Sequence, residues 1–114
     1  MVLRKTAGGQ DLLRSLAVAA TIWRKTVGLM GRKGLGPDDG LMIPRCRAVH
    51  TFFMRFSIGL VFVDERNAVV SVRKSVGPWR LAFERRAAAV IECAADAPWL
   101  AELRPGDKLE ILEK

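Results

Sequence analysis

The chain has 114 residues, half of them hydrophobic, and a formal net charge of +7. A chain of this length is expected to form one domain, residues 1–114, that buries roughly 65% of the surface of its unfolded form. Its two cysteines are too few for a disulfide-rich scaffold, so that class is excluded.

The charge is unevenly spread along the chain. Residues 1–95 carry 16 basic and 7 acidic groups, a balance of +9, whereas residues 96–114 carry 3 basic and 5 acidic groups, a balance of −2. A basic body attracts acidic partners or anionic small molecules at long range. Arginines scattered over the surface for solubility would produce the same composition.

The N-terminal residues resemble an export signal only loosely. Arg4 and Lys5 precede an apolar run over residues 12–23, but Arg14 interrupts that run. No stretch reaches the roughly 18 apolar residues that a membrane-spanning helix needs. Two cysteines suit the reduced thiols of a cytoplasm. We therefore expect a cytoplasmic protein without a membrane span.

The first third of the chain predicts two strands and a helix. Residues 2–6 alternate weakly and predict an edge strand. Residues 15–21 are short and apolar and would suit a strand or a buried helix; a strand is favoured because a better helix follows directly. Thr21 can cap a helix that ends at Gly31. One face of that helix would carry three apolar residues at helical spacing, namely Trp23, Val27 and Met30.

Residues 46–64 stand out because they contain four of the five phenylalanines and the one histidine. They predict two consecutive strands joined at Ser57. From residue 48 the side chains alternate between two faces, one with His50, Phe52, Met54 and Phe56, the other with Thr51, Phe53 and Arg55. Aromatic groups on both faces favour a central strand covered on both sides. Each buried phenylalanine contributes about 1.5–3 kcal/mol, so we expect residues 48–56 to anchor the fold.

The sequence of the second half of the chain predicts mostly strands. Residues 58–63 are a buried strand, residues 64–67 a hairpin connection, and residues 68–76 the returning antiparallel strand. Residues 79–83 are ambiguous. Residues 87–94 predict another core strand, although their alanines would also tolerate a helix.

The C-terminal residues add a short helix and a last strand. Asp96 can cap a helix that has Pro98 in its first turn and ends near Leu103, and residues 108–112 form the last strand. Six to eight short strands separated by turn signals predict a mainly β (α+β) fold. Its expected form is a compact antiparallel β-sandwich or barrel with two short flanking helices.

Six short segments resemble, in order, a family found in bacteria and archaea, domain of unknown function 192. They are GLMGR (28–32), GLMI (40–43), VHTFFMRF (49–56), LVFVD (60–64), PWR (78–80) and LRPGD (103–107). The resemblance covers about residues 10–112. It implies a compact, mainly β, jelly-roll-like domain and brings no established activity, cofactor or ligand.

One position departs from the family pattern. Such sequences usually have proline, an apolar residue and aspartate before the apolar strand, whereas this chain has Ser57, Ile58 and Gly59. If family members use that carboxylate to hold a ligand or a loop, this chain has lost the group or replaced it with Asp64. A function that family members perform with a carboxylate at position 59 therefore cannot be carried over to this chain.

Cysteine and histidine chemistry is weakly supported. Cys46 and His50 could form a nucleophile and base pair, but four residues along a strand span about 13 Å, and no third residue to orient the imidazole is evident. A buried, small apolar role suits Cys46 better. One histidine and two isolated cysteines lack the spacing of a metal site. We therefore predict no catalytic residue, no metal and no cofactor.

A ligand site is the stronger hypothesis. His50, Thr51 and Arg55 combine an imidazole, a hydroxyl and a guanidinium, which together can bind a polar or anionic group. Trp79 could add an apolar wall and Arg80 a counter-charge. The alternative for the first three is a polar network that braces a β core.

Nucleic acid binding is the second hypothesis. The basic residues would supply phosphate contacts if they shared one face. Single-strand binders usually add exposed aromatic rings, and here the phenylalanines alternate as core residues do. The expected function is therefore a small non-catalytic domain that binds a polar or anionic ligand, or a protein partner, at the mouth of a barrel. A nucleic-acid-associated module is the alternative, and an enzyme with an unrecognised site is the third. The sequence makes no prediction of oligomeric state.

Overall fold

The computed structural model describes residues 1–18, 35–52 and 54–113, and in these ranges the chain is mainly β. Ten strands lie within them. They are β1 (Val2–Lys5), β2 (Asp11–Leu13), β3 (Ser15–Val18), β4 (Asp39–Pro44), β5 (Ala48–His50), β6 (Ile58–Val63), β7 (Val69–Val76), β8 (Leu81–Phe83), β9 (Ala89–Ala94) and β10 (Leu109–Leu112).

The strands form three sheets. A five-stranded sheet has the order β3-β4-β9-β6-β7, and its pairs are antiparallel except for the parallel pair β3 and β4. A three-stranded antiparallel sheet has the order β10-β1-β2. A two-stranded antiparallel sheet consists of β5 and β8. Residues 2–6 were expected at an edge, but β1 lies in the middle of its sheet.

Strand β6 is the centre of the fold, because all six of its residues are buried. Val61 and Val63 belong to one apolar cluster, which includes Leu3 from the three-stranded sheet. Leu60 and Phe62 belong to a second cluster, which includes residues of β5 and β8. An uninterrupted apolar run is what a strand covered on both faces requires. The five-stranded sheet is thus the middle layer of three.

The hairpin between β6 and β7 forms where the sequence predicts it. The backbone N–H of Asp64 donates to the carbonyl of Ala68 at 2.9 Å, and the N–H of Asn67 donates to the carbonyl of Asp64 at 3.0 Å. Asn67 has φ of 61°, in the left-handed region that asparagine tolerates. The carboxylate of Asp64 accepts the N–H groups of Arg66 at 2.8 Å and Ala68 at 3.0 Å. This carboxylate therefore stabilises the hairpin. It follows the C-terminal end of β6, whereas Gly59 lies near the N-terminal end of that strand.

The predicted barrel is wrong, because the sheets remain open. Strands β3 and β7 end the five-stranded sheet. Strands β5 and β8 have only three residues each and pair with each other. They cover one face of the middle sheet instead of extending its edge, so they cannot close it.

The prediction of a central strand over residues 48–56 is also wrong. Strand β5 ends at His50, and the N–H of Met54 donates to the carbonyl of Thr51 at 3.2 Å in a turn. Ala48 and His50 are exposed and Val49 is buried, as in an outer layer. The doubly covered strand is β6 instead. The alternation of aromatic residues suggests a longer strand, but β5 has already ended before Phe52, which lies half-buried at the corner of the chain.

The two predicted flanking helices are not supported. The predicted helix over residues 21–31 lies outside the described residues. The C-terminal one is a 3-10 helix, Pro98–Glu102, that begins after Ala97 without a side-chain cap. Asp96 instead has φ of 57° and donates its N–H to the carbonyl of Lys74 at 2.8 Å, so it is a turn residue. Within the described ranges, no helix has the length and hydrophobicity needed to cross a bilayer.

Candidate functional site

Thr51 holds together the corner where β5 ends and β8 begins. Only 1% of its surface is exposed. Its hydroxyl donates to the carbonyl of Gly77 at 2.6 Å and accepts the N–H of Arg80 at 2.9 Å. Its own N–H donates to the carbonyl of Arg80 at 2.9 Å, and its carbonyl accepts the N–H of Trp79 at 3.0 Å. Thr51 therefore positions residues 77–80.

Three rings lie in a row on this corner. The centroids of His50 and Phe52 are 5.0 Å apart, and those of Phe52 and Trp79 are 5.7 Å apart with an interplanar angle of 27°. Trp79 has φ of 62°, a conformation that is unfavourable for a bulky residue and that tends to occur at functional sites. The bond from its N–H to Thr51 fixes this conformation.

Strand β8 continues the apolar surface. Leu81 is 73% exposed, Phe83 is 60% exposed, and Trp79 just before the strand is 58% exposed. Leu81 pairs with His50 across the two-stranded sheet. We call this surface the outer face and define it by five residues, His50, Phe52, Trp79, Leu81 and Phe83. So much exposed apolar area on one surface is typical of a binding site.

A cleft of about 680 Å³ lies between the end of β7 and the start of β8. Arg73, Lys74 and Arg80 line it, together with Leu81 of the outer face. None of the described residues that line it is acidic. The guanidinium carbon of Arg73 lies 5.9 Å from the centroid of the Phe62 ring, a cation–π contact that steadies the side chain. We call this the basic cleft.

Two further clefts have a weaker positive character. One of about 580 Å³ is lined by Arg45 and Arg47 but also by Glu65. The other, of about 460 Å³, shares Arg47 and Glu65 and is lined by three more arginines and a second acid. Carboxylates in both clefts offset the cations. An anion is therefore attracted most strongly to the basic cleft.

The five residues predicted as a site are only partly brought together. His50 and Trp79 lie on the outer face, Arg80 lines the basic cleft, and Thr51 joins the two strands. Arg55 is exposed in the segment after Thr51, and no described hydrogen bond or ion pair connects its guanidinium to the other four.

Sequence reasoning missed Leu81 and Phe83 on the outer face, and it named Arg73 and Lys74 only among the basic residues that could contact phosphate. The signal for β8 was present: after Gly77 and Pro78 the large apolar residues recur at every second position, 79, 81 and 83. The signal for the cleft was absent, since its shape depends on how Thr51 holds the turn between β7 and β8.

The thiols and the imidazole do not form a catalytic pair in the described structure. The thiol of Cys46 donates to the carbonyl of Ala48 at 2.9 Å, and Nδ1 of His50 accepts the N–H of Phe52 at 3.3 Å. Burial, with a smaller contribution from Glu92, raises the pKa of the Cys93 thiol to about 12. In the described ranges, no three histidine, cysteine or acidic side chains are grouped to hold a metal ion.

Comparisons with known proteins support the fold. Residues 3–111 match the DUF192 family, which is described as an uncharacterized ACR family. No curated protein matches the chain.

Two crystal structures share this fold. One is a candidate transcription regulator from Sinorhizobium meliloti 1021, with a TM-score of 0.78, 24% identity and coverage of 96% of this chain and 91% of that one. The other is a protein of unknown function from Novosphingobium aromaticivorans, with a TM-score of 0.76, 23% identity and coverage of 96% and 82%.

Proposed function

The chain belongs to the DUF192 family, and from the geometry of its basic cleft we propose that it is a non-catalytic domain that binds an anionic ligand or partner between β7 and β8. One observation carries the proposal. Arg73, Lys74 and Arg80 line a single cleft in which none of the described lining residues is acidic. With no closed barrel, the proposed surface lies here and not at a barrel mouth.

The three cations suit oxyanions of phosphate or carboxylate type. An arginine guanidinium can donate two parallel hydrogen bonds to such a group, and a lysine ammonium adds a compact positive charge. A single exposed ion pair is worth only about 0.2–1 kcal/mol, so specific binding needs several cations in one place. The net charge of +7 additionally attracts anions from a distance.

The backbone around the cleft favours binding because it is already ordered. Thr51 fixes the main chain of Arg80 through two hydrogen bonds of 2.9 Å. A ligand then does not have to order this corner, which lowers the entropic cost of association. The non-catalytic part of the proposal is supported by the separate backbone bonds of Cys46 and His50.

Binding of tripolyphosphate tests this function. We expect calorimetry to show binding by the unaltered protein, and a saturating concentration of about 100 times Kd to add about 2.7 kcal/mol to the free energy of unfolding. Arg80→Ala should weaken binding, because it removes one cation and leaves the backbone bonds to Thr51 in place. Arg14→Ala is the matched control, since it removes the same charge from an exposed residue outside the cleft. Equal affinity of the two variants would contradict the proposal.

A further inference from the structure

We propose that the anionic partner is a single-stranded nucleic acid, with phosphates in the basic cleft and bases stacked on the outer face. This inference rests on the proposed function and adds the class of partner. It depends on three observations: exposed rings beside the cleft, the closeness of rings and cations along the chain, and a hydrogen-bond donor among the rings.

The sequence argued against nucleic-acid binding mainly because its aromatic residues alternate as core residues do, and the exposed rings of the structure remove that argument. The phenylalanines were expected in the core, where no base could reach them. In the structure Phe83 is 60% exposed and Trp79 is 58% exposed. Phe52 stacks on Trp79 at 5.7 Å, which supports the indole from within the protein. Single-strand binders combine such rings with a positively charged groove, because every base has a face that can stack.

The rings and the cations lie on one short stretch of chain. Leu81 and Phe83 lie on one face of β8, where alternate positions are about 7 Å apart, and Trp79 lies in the turn just before the strand. Arg80 and Leu81 also line the basic cleft. One extended strand of nucleic acid could therefore place successive bases along the outer face while its phosphates follow the cleft.

His50 adds a polar group to the outer face. Its Nδ1 accepts the N–H of Phe52 at 3.3 Å, so the neutral imidazole carries its proton on Nε2. That N–H can donate to the polar edge of a base. A hydrogen-bonding ring opposite Leu81 suits a base better than it suits the hydrocarbon of a membrane. The rings also favour a single strand over a duplex, in which the base faces are already stacked.

Fluorescence anisotropy with three labelled probes tests the inference. The probes are an oligothymidylate of about 12 nucleotides, an abasic strand of the same length and charge, and a duplex of that length. We expect the oligothymidylate to bind about tenfold more tightly than the abasic strand, because only the former can stack. The duplex should bind more weakly than the single strand, and every affinity should fall as salt rises.

Variants separate stacking from charge. Trp79→Ala and Phe83→Ala should each reduce the preference for the oligothymidylate over the abasic strand, and Trp79→Phe should restore most of it. Val18→Ala is the matched control, because it removes exposed apolar area from a residue outside both the outer face and the basic cleft. Using both Trp79→Ala and Phe83→Ala keeps the test valid if one of them misfolds.

The failures of the two proposals can be told apart. If the abasic strand binds as tightly as the oligothymidylate and Trp79→Ala changes neither, the inference of stacking is overturned and the proposed function stands. If neither strand nor tripolyphosphate binds, both are overturned. The proposal of a nucleic-acid partner would be overturned if an oligoglutamate peptide, or vesicles of phosphatidylglycerol and phosphatidylcholine, bound more tightly than the oligothymidylate. The tighter-binding probe would then indicate the class of partner.

Discussion

Thr51 and Arg80 are 29 residues apart in the sequence and are joined by two hydrogen bonds of 2.9 Å. The N–H of Thr51 donates to the carbonyl of Arg80, and the N–H of Arg80 donates to the hydroxyl of Thr51. The same threonine also accepts the N–H of Trp79. One buried residue thus fixes the main chain of both Arg80, which lines the basic cleft, and Trp79, whose ring lies on the outer face.

Thr51→Val should destabilise the protein by about 1–3 kcal/mol, because it leaves the N–H of Arg80 and the carbonyl of Gly77 without their partner. Valine has nearly the volume of threonine, so the change tests the hydroxyl alone. Urea unfolding provides the measurement. Thr51→Ser keeps the hydroxyl and is the control. A valine variant as stable as the serine variant would show that these bonds contribute nothing.

Gly59→Ala should destabilise the protein by about 1–3 kcal/mol through overpacking. A Cβ atom there would lie 2.7 Å from Cδ1 of Leu100, 2.9 Å from Sγ of Cys93 and 3.0 Å from the carbonyl oxygen of Ala94. Gly59→Asp should cost more, because it also buries a carboxylate. An aspartate at position 59 therefore cannot be accommodated without movement of these neighbours.

The matched control for this site is Gly77→Ala. A Cβ atom at that glycine would come no closer than 3.8 Å to Oγ of Ser57. Urea unfolding should therefore show little change for Gly77→Ala. If Gly59→Ala unfolds at the same urea concentration as the unaltered protein, the packing argument is wrong.

Asp64 should make stability depend on pH. Hydrogen bonds from the backbone of Ala68 and then Arg66 lower the pKa of its carboxyl group in the folded protein. A lowered folded pKa stabilises the protein above the unfolded pKa of about 3.9, and this stabilisation is lost as pH falls through the folded pKa. Asp64→Asn should therefore lower the Tm at neutral pH and have a smaller effect in acid.

Thermal unfolding at neutral and acidic pH measures this effect. Glu65→Gln is the control, since it removes a charge from the same hairpin and no described hydrogen bond involves its carboxylate. The carboxyl group of Asp64 is solvent-exposed in its turn, so screening by water limits the effect to a small shift of Tm. A constant difference between Asp64→Asn and the unaltered protein at every pH would contradict the assignment.

The two thiols should differ in reactivity. Cys46 is partly exposed, whereas Cys93 is fully buried with its pKa raised to about 12. Because the thiolate is the reactive form, a thiol reagent such as dithionitrobenzoate should modify Cys46 in the native protein and Cys93 only after unfolding. Native Cys46→Ser should therefore release little chromophore. Rapid reaction of that variant would show that Cys93 is accessible.

The parts of the fold that local pattern determines were predictable. The apolar run of β6 and the turn residues at 64–67 indicate a buried strand and a hairpin, and both form. Strand β9 also forms within the predicted range 87–94, as Ala89–Ala94. The family resemblance over residues 10–112 is confirmed by the match over residues 3–111.

Contacts between distant residues could not be predicted. The alternation from residue 48 onward resembles a strand, but the chain turns at Thr51 because its partner is Arg80, 29 residues later. Asp96 has the residue type of a helix cap and instead occupies a left-handed turn against Lys74. The basic cleft lies within residues 72–82, and the turn that shapes it depends on the bonds from Thr51 to Gly77 and Arg80.

Amide chemical shifts of labelled protein, followed during a titration with tripolyphosphate, test the central claim most directly. We predict that the largest changes fall on residues 72–77 and 80–82, which line the basic cleft, with Arg80 among them. The amide shifts of residues 85–88, which line the cleft of about 460 Å³ that contains both arginines and acids, should change little. Changes centred on residues 85–88, or none at any residue, would contradict the account.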